Sequence, residues 1–234
     1  MVMPLGDDNS ARVNFPVVTI AFMAINIVVF LIELSQGSGI EGFFRQWSVI
    51  PLEYSQQTDL APTIPLPFWS TLFSSMFMHG GWMHLGGNML YLWIFGDNVE
   101  DAMGRVKYII FYLLCGVAAA GAQIMMDPDS TIPSLGASGA ISGVLAAYLV
   151  LYPKQKVRVL MLRTIAHMPA IFVIGLWIVL QFVNGAGQLA QTEQTGGVAY
   201  AAHIGGFVAG LVLVWVFRNY GARPPPRSRA RGFP

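Results

Sequence analysis

Charge is what this chain has least of. Only 11% of its 234 residues are Asp, Glu, Lys or Arg, against 55% that are hydrophobic, whereas a soluble domain carries about 25% charged residues. The shortage excludes an ordinary soluble domain and indicates a polytopic membrane protein whose length suits one compact bundle. Cysteine is nearly missing: Cys115 stands alone, which excludes a disulfide framework, a cysteine-based zinc site and a dithiol redox motif. A cleavable signal peptide is not expected either, because a fairly polar leader precedes a first apolar run of full membrane length. Acids are kept out of the apolar runs, every Asp and Glu falling in a connection or at a run's end. No metal or cofactor is expected.

What is present is six apolar stretches of near-spanning length. They cover about 15–34, 80–96, 107–126, 136–152, 168–184 and 198–217. The expected fold is therefore an all-α membrane bundle of six transmembrane helices. Residues 1–14 form a short cytoplasmic lead-in, 15–217 the bundle, and 218–234 a basic, Pro-rich and disordered tail. The connection at 35–79 holds Pro51, Pro62, Pro65 and Pro67, and it is too long for a plain turn, so it is expected to be structured at the membrane surface. With the N-terminus inside, Arg12, Arg105, Lys107, Lys154, Lys156, Arg158, Arg163, Arg218, Arg223, Arg227, Arg229 and Arg231 are all cytoplasmic, and only Arg45 lies outside. That distribution satisfies the positive-inside rule in every loop and predicts both termini in the cytoplasm. The tail then reads as an inside anchor, and nucleic acid is not an expected partner.

Polar groups inside a span are costly and mark function by default. Those in question are His79, the pair His84 and Asn88, Ser138, and His203. At 1.5 Å per helical residue, Ser138 lies about 21 Å before the cytoplasmic end at Tyr152, and His203 about 21 Å before Phe217. His84 lies about 18 Å before Gly96, with Asn88 one turn further in. Three helices thus bring polar groups to one depth, roughly 10 Å below the outer face of a ~30 Å core.

The chemistry agrees with the depths. Ser138 opens a helix whose first N–H groups have no intrahelical partner, and such donors stabilise an oxyanion. Its hydroxyl needs a base, and neutral His203 supplies one. Gly136 and Gly139 leave room for an approaching backbone. Gly139 and Gly143 face the small-residue seam of Gly206 and Gly210, which lets two helices meet closely. No acid accompanies the pair: Glu193, the nearest in sequence to His203, sits ten residues away in a loop. A Ser–His dyad is expected, its imidazole held by packing or a neutral hydrogen bond. His84 and Asn88, one helical turn apart, can both donate to the oxyanion. Ser142 is expected to pack or hydrogen-bond, and His79 to be structural. His167 is expected to be interfacial at the start of the fifth span. Trp82, Trp93, Trp177 and Trp215 are expected as lipid-facing, interfacial or core aromatics.

The segments HGGWMHLGGNMLYLWIFGDNVED, GASGAISG and AHIGGFVAG resemble those of the rhomboid intramembrane serine proteases, in the family's order and over about residues 15–217. The resemblance implies Ser138 as nucleophile, His203 as general base and acid, and His84, Asn88 and the Ser138 amide as oxyanion donors. It also implies transmembrane protein substrates entering beside a mobile fifth span. In some relatives an aromatic residue one turn after the serine stacks on the histidine. Here that position is Ser142, which leaves the support of His203 to be found elsewhere. Two other classes stay open at this point: a non-catalytic rhomboid-like membrane binder or chaperone, and a small transporter. The retained serine and histidine argue against the first, and the lack of an inverted repeat or intramembrane acid against the second.

Overall fold

The computed structural model describes residues 2–10, 12–189 and 198–219. Glu193 and the tail from residue 220 lie outside the described residues. In chain order the elements are strand β1 (Val2–Asp7), helix α1 (Val17–Ser35), the short helices α2 (Ile40–Trp47), α3 (Pro51–Gln56) and α4 (Thr71–Ser74), then α5 (Trp82–Met103), α6 (Arg105–Met126), α7 (Ser138–Leu151), strands β2 (Lys156–Met161) and β3 (Thr164–Pro169), α8 (Ala170–Leu189) and α9 (Tyr200–Phe217). The chain is mostly helical. Helices α1, α6, α8 and α9 are long and apolar enough to cross a membrane.

The other two long elements depart from that standard for physical reasons. Helix α7 has 14 residues, about 21 Å of rise, short of a ~30 Å core. It is the hub of the bundle: residues Gly139 to Tyr148 are all buried, and α5, α6, α8 and α9 pack around it. Small residues make this possible. A Cβ on Gly206 would overlap the Gly139 carbonyl, and one on Gly210 would overlap the backbone of Gly143. Helices α7 and α9 therefore meet backbone to backbone.

Helix α5 does not stop at Gly96, where the apolar run ends, but continues to Met103. Its last two turns carry acids because each acid has a partner. The Glu100 carboxylate accepts the Val18 and Thr19 amides at 3.0 and 2.8 Å, capping donors at the start of α1 that have no partner within the helix. Asp97 receives Arg12 at 2.5 Å, and Asp101 receives the Val13 and Asn14 amides at 3.1 and 2.9 Å. The acids expected just past the end of the second apolar run thus lie within α5, while Glu33, at the end of the first run as expected, is fully buried in α1.

Two features were hidden in the connections. Residues 2–7 are not a loose lead-in: β1 pairs with β2, which pairs with β3, giving an antiparallel sheet in the order β1-β2-β3. Val157 and Val159 alternate with exposed Lys156 and Arg158 and lie in the core. His167 belongs to β3, opposite Arg158, and not to the fifth long helix, which begins at Ala170. Asp7 ties the sheet to the bundle, its Oδ2 accepting Tyr148 Oη at 2.6 Å and Asn98 Nδ2 at 2.7 Å. Burial pushes the Asp7 carboxyl up to about 7. The connection after α1 holds α2, α3, α4 and short 3-10 turns. Its Val49 bridges Ser134 through amides at 3.1 and 2.7 Å.

Candidate active site

The segment leading into α7 is fixed before the helix begins. Besides the Val49–Ser134 bridge, the Gly136 amide donates to the Ser75 carbonyl at 2.8 Å. Gly136 itself has φ +128, and a Cβ there would stand 2.7 Å from Cε1 and Nε2 of His84. Only glycine combines that backbone with that neighbour. Ser138 is the first residue of α7, half-buried, with the helix's unpartnered amides behind it.

His203 comes from α9, four residues into that helix, and is 9% exposed. Its Nε2 lies 2.7 Å from Ser138 Oγ. The glycine seam accounts for this: Gly139 follows the serine, Gly206 sits one turn after the histidine, and the two touch. Ser142 Oγ donates to the Ser138 carbonyl at 2.6 Å, so it serves its own helix. The support for His203 comes from α8. Gln181 Oε1 stands 2.7 Å from His203 Nδ1, and the Trp177 ring lies 5.9 Å from the imidazole at 34°. Tyr200, on α9 itself, meets it edge-on at 6.4 Å. Trp177 is therefore a wall of the site as well as a bundle aromatic. Gln181 was missed in sequence although it lies within the fifth apolar run. An amide one turn after a tryptophan, within an otherwise apolar run, was the available signal.

His84 and Asn88 share a face of α5, as their spacing requires. His84 reaches the Gly136 edge, against which Ser138 Oγ also stands. Asn88 is buried, and its Nδ2 meets His79 Nε2 at 2.9 Å. One amide hydrogen is thereby held while the other stays available. His79, expected only as a structural residue, positions Asn88 and packs edge-on to His84 at 5.1 Å. Its own amide donates to the buried Glu33 of α1 at 3.0 Å. Among the described residues no hydrogen bond joins His84 or Asn88 to Ser138. A small cavity of about 30 Å³ opens beside Ser138, lined in part by Gly116, Ala119, Gly139, Ala140 and Ala202. Among the described residues no cluster of His, Cys, Asp or Glu could hold a metal ion.

Residues 67–220 match the family model of the Rhomboid domain, about two thirds of the chain and the whole of the site. The chain belongs to the rhomboid family. This rhomboid is 31% identical over 199 residues to "Rhomboid protease GluP" of Bacillus subtilis, an overlap of 85% of this chain and 35% of that protein. It is 28% identical to "Rhomboid-like protein 11, chloroplastic" of Arabidopsis thaliana, over 66% of this chain and 54% of that one. With "Rhomboid protein 1, mitochondrial" of Saccharomyces cerevisiae it shares 29% identity over 62% and 41% of the two chains. The rhomboid spans about a third to a half of the length of these relatives.

Proposed function

We propose that this rhomboid is an intramembrane serine endopeptidase that hydrolyses peptide bonds in or beside transmembrane segments of other membrane proteins. The observation that carries the reading is the 2.7 Å approach of His203 Nε2 to Ser138 Oγ at the start of a buried helix. Ser138 Oγ attacks the substrate carbonyl carbon while its proton passes to His203 Nε2. The tetrahedral oxyanion takes hydrogen bonds from the Ser138 amide, His84 and the free hydrogen of Asn88. Collapse breaks the C–N bond, and the imidazolium gives its proton to the leaving amine. Water, deprotonated by the same histidine, then hydrolyses the acyl ester. Gly136, Gly139, Ser142, Gly206 and Gly210 support the pair by close packing. The cavity beside Ser138, lined by Gly116, Ala119, Gly139, Ala140 and Ala202, suits a small substrate side chain at the cleaved bond.

In this reading α5 and α7 complete six spans with α1, α6, α8 and α9. The catalytic bundle covers 15–217, and the basic segment 218–234 follows as a cytoplasmic tail. The distribution of Lys and Arg supports cytoplasmic termini, and the protein lies in a cell's plasma membrane with its site open to the extracytoplasmic side. Its partners are transmembrane substrates and the bilayer, with no cofactor. The test is cleavage of a transmembrane substrate by purified protein: wild type cuts, and Ser138→Ala and His203→Ala do not. Retained cleavage by either variant overturns the reading.

A further inference from the structure

We propose that Gln181 is a positioning residue that fixes the tautomer of His203 and makes the dyad depend on the seating of α8. The inference rests on the protease reading above. His203 must present an unprotonated Nε2 to Ser138 if it is to take the hydroxyl proton, so its own hydrogen must sit on Nδ1. An acceptor at Nδ1 secures that arrangement, and a donor there would defeat it.

The Gln181 amide could offer either atom, so its orientation has to be decided by its other bond. That bond is to the Trp177 carbonyl, at 3.3 Å from the amide nitrogen. A carbonyl can only accept, so the nitrogen belongs on that side and Oε1 faces His203 Nδ1 at 2.7 Å. The chain Trp177 carbonyl, Gln181 amide, His203 imidazole, Ser138 hydroxyl then runs with every donor meeting an acceptor. A carboxylate in this position would also stabilise the imidazolium by charge. The neutral amide supplies orientation without placing a charge in the bundle.

The position of Gln181 adds a second consequence. Helix α8 lies at the edge of the bundle, with Phe172, Leu176, Val179, Leu180, Phe182 and Val183 exposed. Among the described residues, Gln181 to His203 is the one side-chain hydrogen bond from α8 to another long helix. The polar tie between α8 and the bundle is therefore the same bond that sets the base. Displacing α8 removes Gln181 and Trp177 from His203 together, and reseating it restores both. Chemistry is confined to the state with α8 seated.

The experiment compares wild type with Gln181→Met, which keeps length but not the acceptor, and Gln181→Glu, which keeps an acceptor. Nitrogen-15 NMR of the histidines in detergent reads the tautomer directly, with His203→Ala identifying the His203 signal. Expected are a single Nδ1–H tautomer in wild type, a mixture in Gln181→Met, and a tenfold to roughly hundredfold drop in kcat at unchanged KM for the Met variant. Gln181→Glu recovers most of the rate. A wild-type Nε2–H tautomer, or a folded Gln181→Met with wild-type kcat, overturns the proposal. Equal loss in both variants at unchanged Tm assigns Gln181 to packing and also overturns it. Absence of cleavage by wild type defeats the protease reading instead, and the tautomer spectrum still judges Gln181.

Discussion

Gly206→Ala tests how far the dyad depends on backbone contact between α7 and α9. The new Cβ would overlap the Gly139 carbonyl oxygen, with its carbon at 2.9 Å and the Ala119 Cβ at 3.4 Å. Ordinary contact lies at about 3.5 Å or beyond, so the helices must part by roughly 1 Å. Neither partner is a flexible side-chain tip that could swing away; one is helix backbone. Because Gly139 follows Ser138 and Gly206 is one turn from His203, the shift reaches the dyad almost undiminished. A separation of 2.7 Å then leaves hydrogen-bonding range. Misplacement by about 1 Å costs on the order of 100-fold in rate, and overpacking costs about 1–3 kcal/mol of stability. The control is Gly175→Ala on α8, where an added Cβ meets nothing within 4 Å; it should leave activity intact and gain up to about 1 kcal/mol of helix stability. Initial cleavage rates in proteoliposomes and thermal unfolding in detergent report both quantities. A Gly206→Ala rate within twofold of wild type would refute the argument that the seam sets the dyad.

Other outcomes follow from the same contacts. His79→Ala removes the partner of the buried Asn88 amide and should cost about 1–3 kcal/mol in unfolding free energy, with a fall in kcat as Asn88 loses its orientation. Asp7 has a folded carboxyl raised to about 7 from 3.8, chiefly by burial, so attachment of β1 is strongest in acid and weakens as pH rises from about 4 through 7. Asp7→Asn, which still accepts from Tyr148 and Asn98, should flatten that dependence when amide exchange of β1 and β2 is followed against pH. Glu100→Ala strips the cap from α1, leaving the Val18 and Thr19 donors buried and unpaired. It should lower Tm without changing KM.

The site was more legible in the sequence than the frame around it, for a definite reason. Serine, histidine and asparagine inside apolar runs stand out against their surroundings, and counting residues from a helix end locates them in depth. The glycines beside them were readable because close packing has few other solutions. The strands were not. Residues 2–7 and 156–169 lie 150 positions apart and carry no turn signal linking them, so their pairing is a tertiary fact. The end of α5 is not visible in hydropathy, which falls after Gly96 while the helix continues to Met103. Asp97, Glu100 and Asp101 look like loop residues until their partners in the N-terminal segment are known. Gln181 is neither base nor nucleophile, and its role becomes visible only when the fold sets its Oε1 against His203 Nδ1.

The central claim is that Ser138 is an activated nucleophile and not a packing residue. The direct measurement is mass-spectrometric mapping of the adduct formed when purified protein, in membrane-like detergent, meets a serine-reactive fluorophosphonate. The account predicts one adduct, on Ser138, abolished in Ser138→Ala and strongly reduced in folded His203→Ala. Failure of Ser138 to label in the folded protein, or equal labelling without His203, would contradict it.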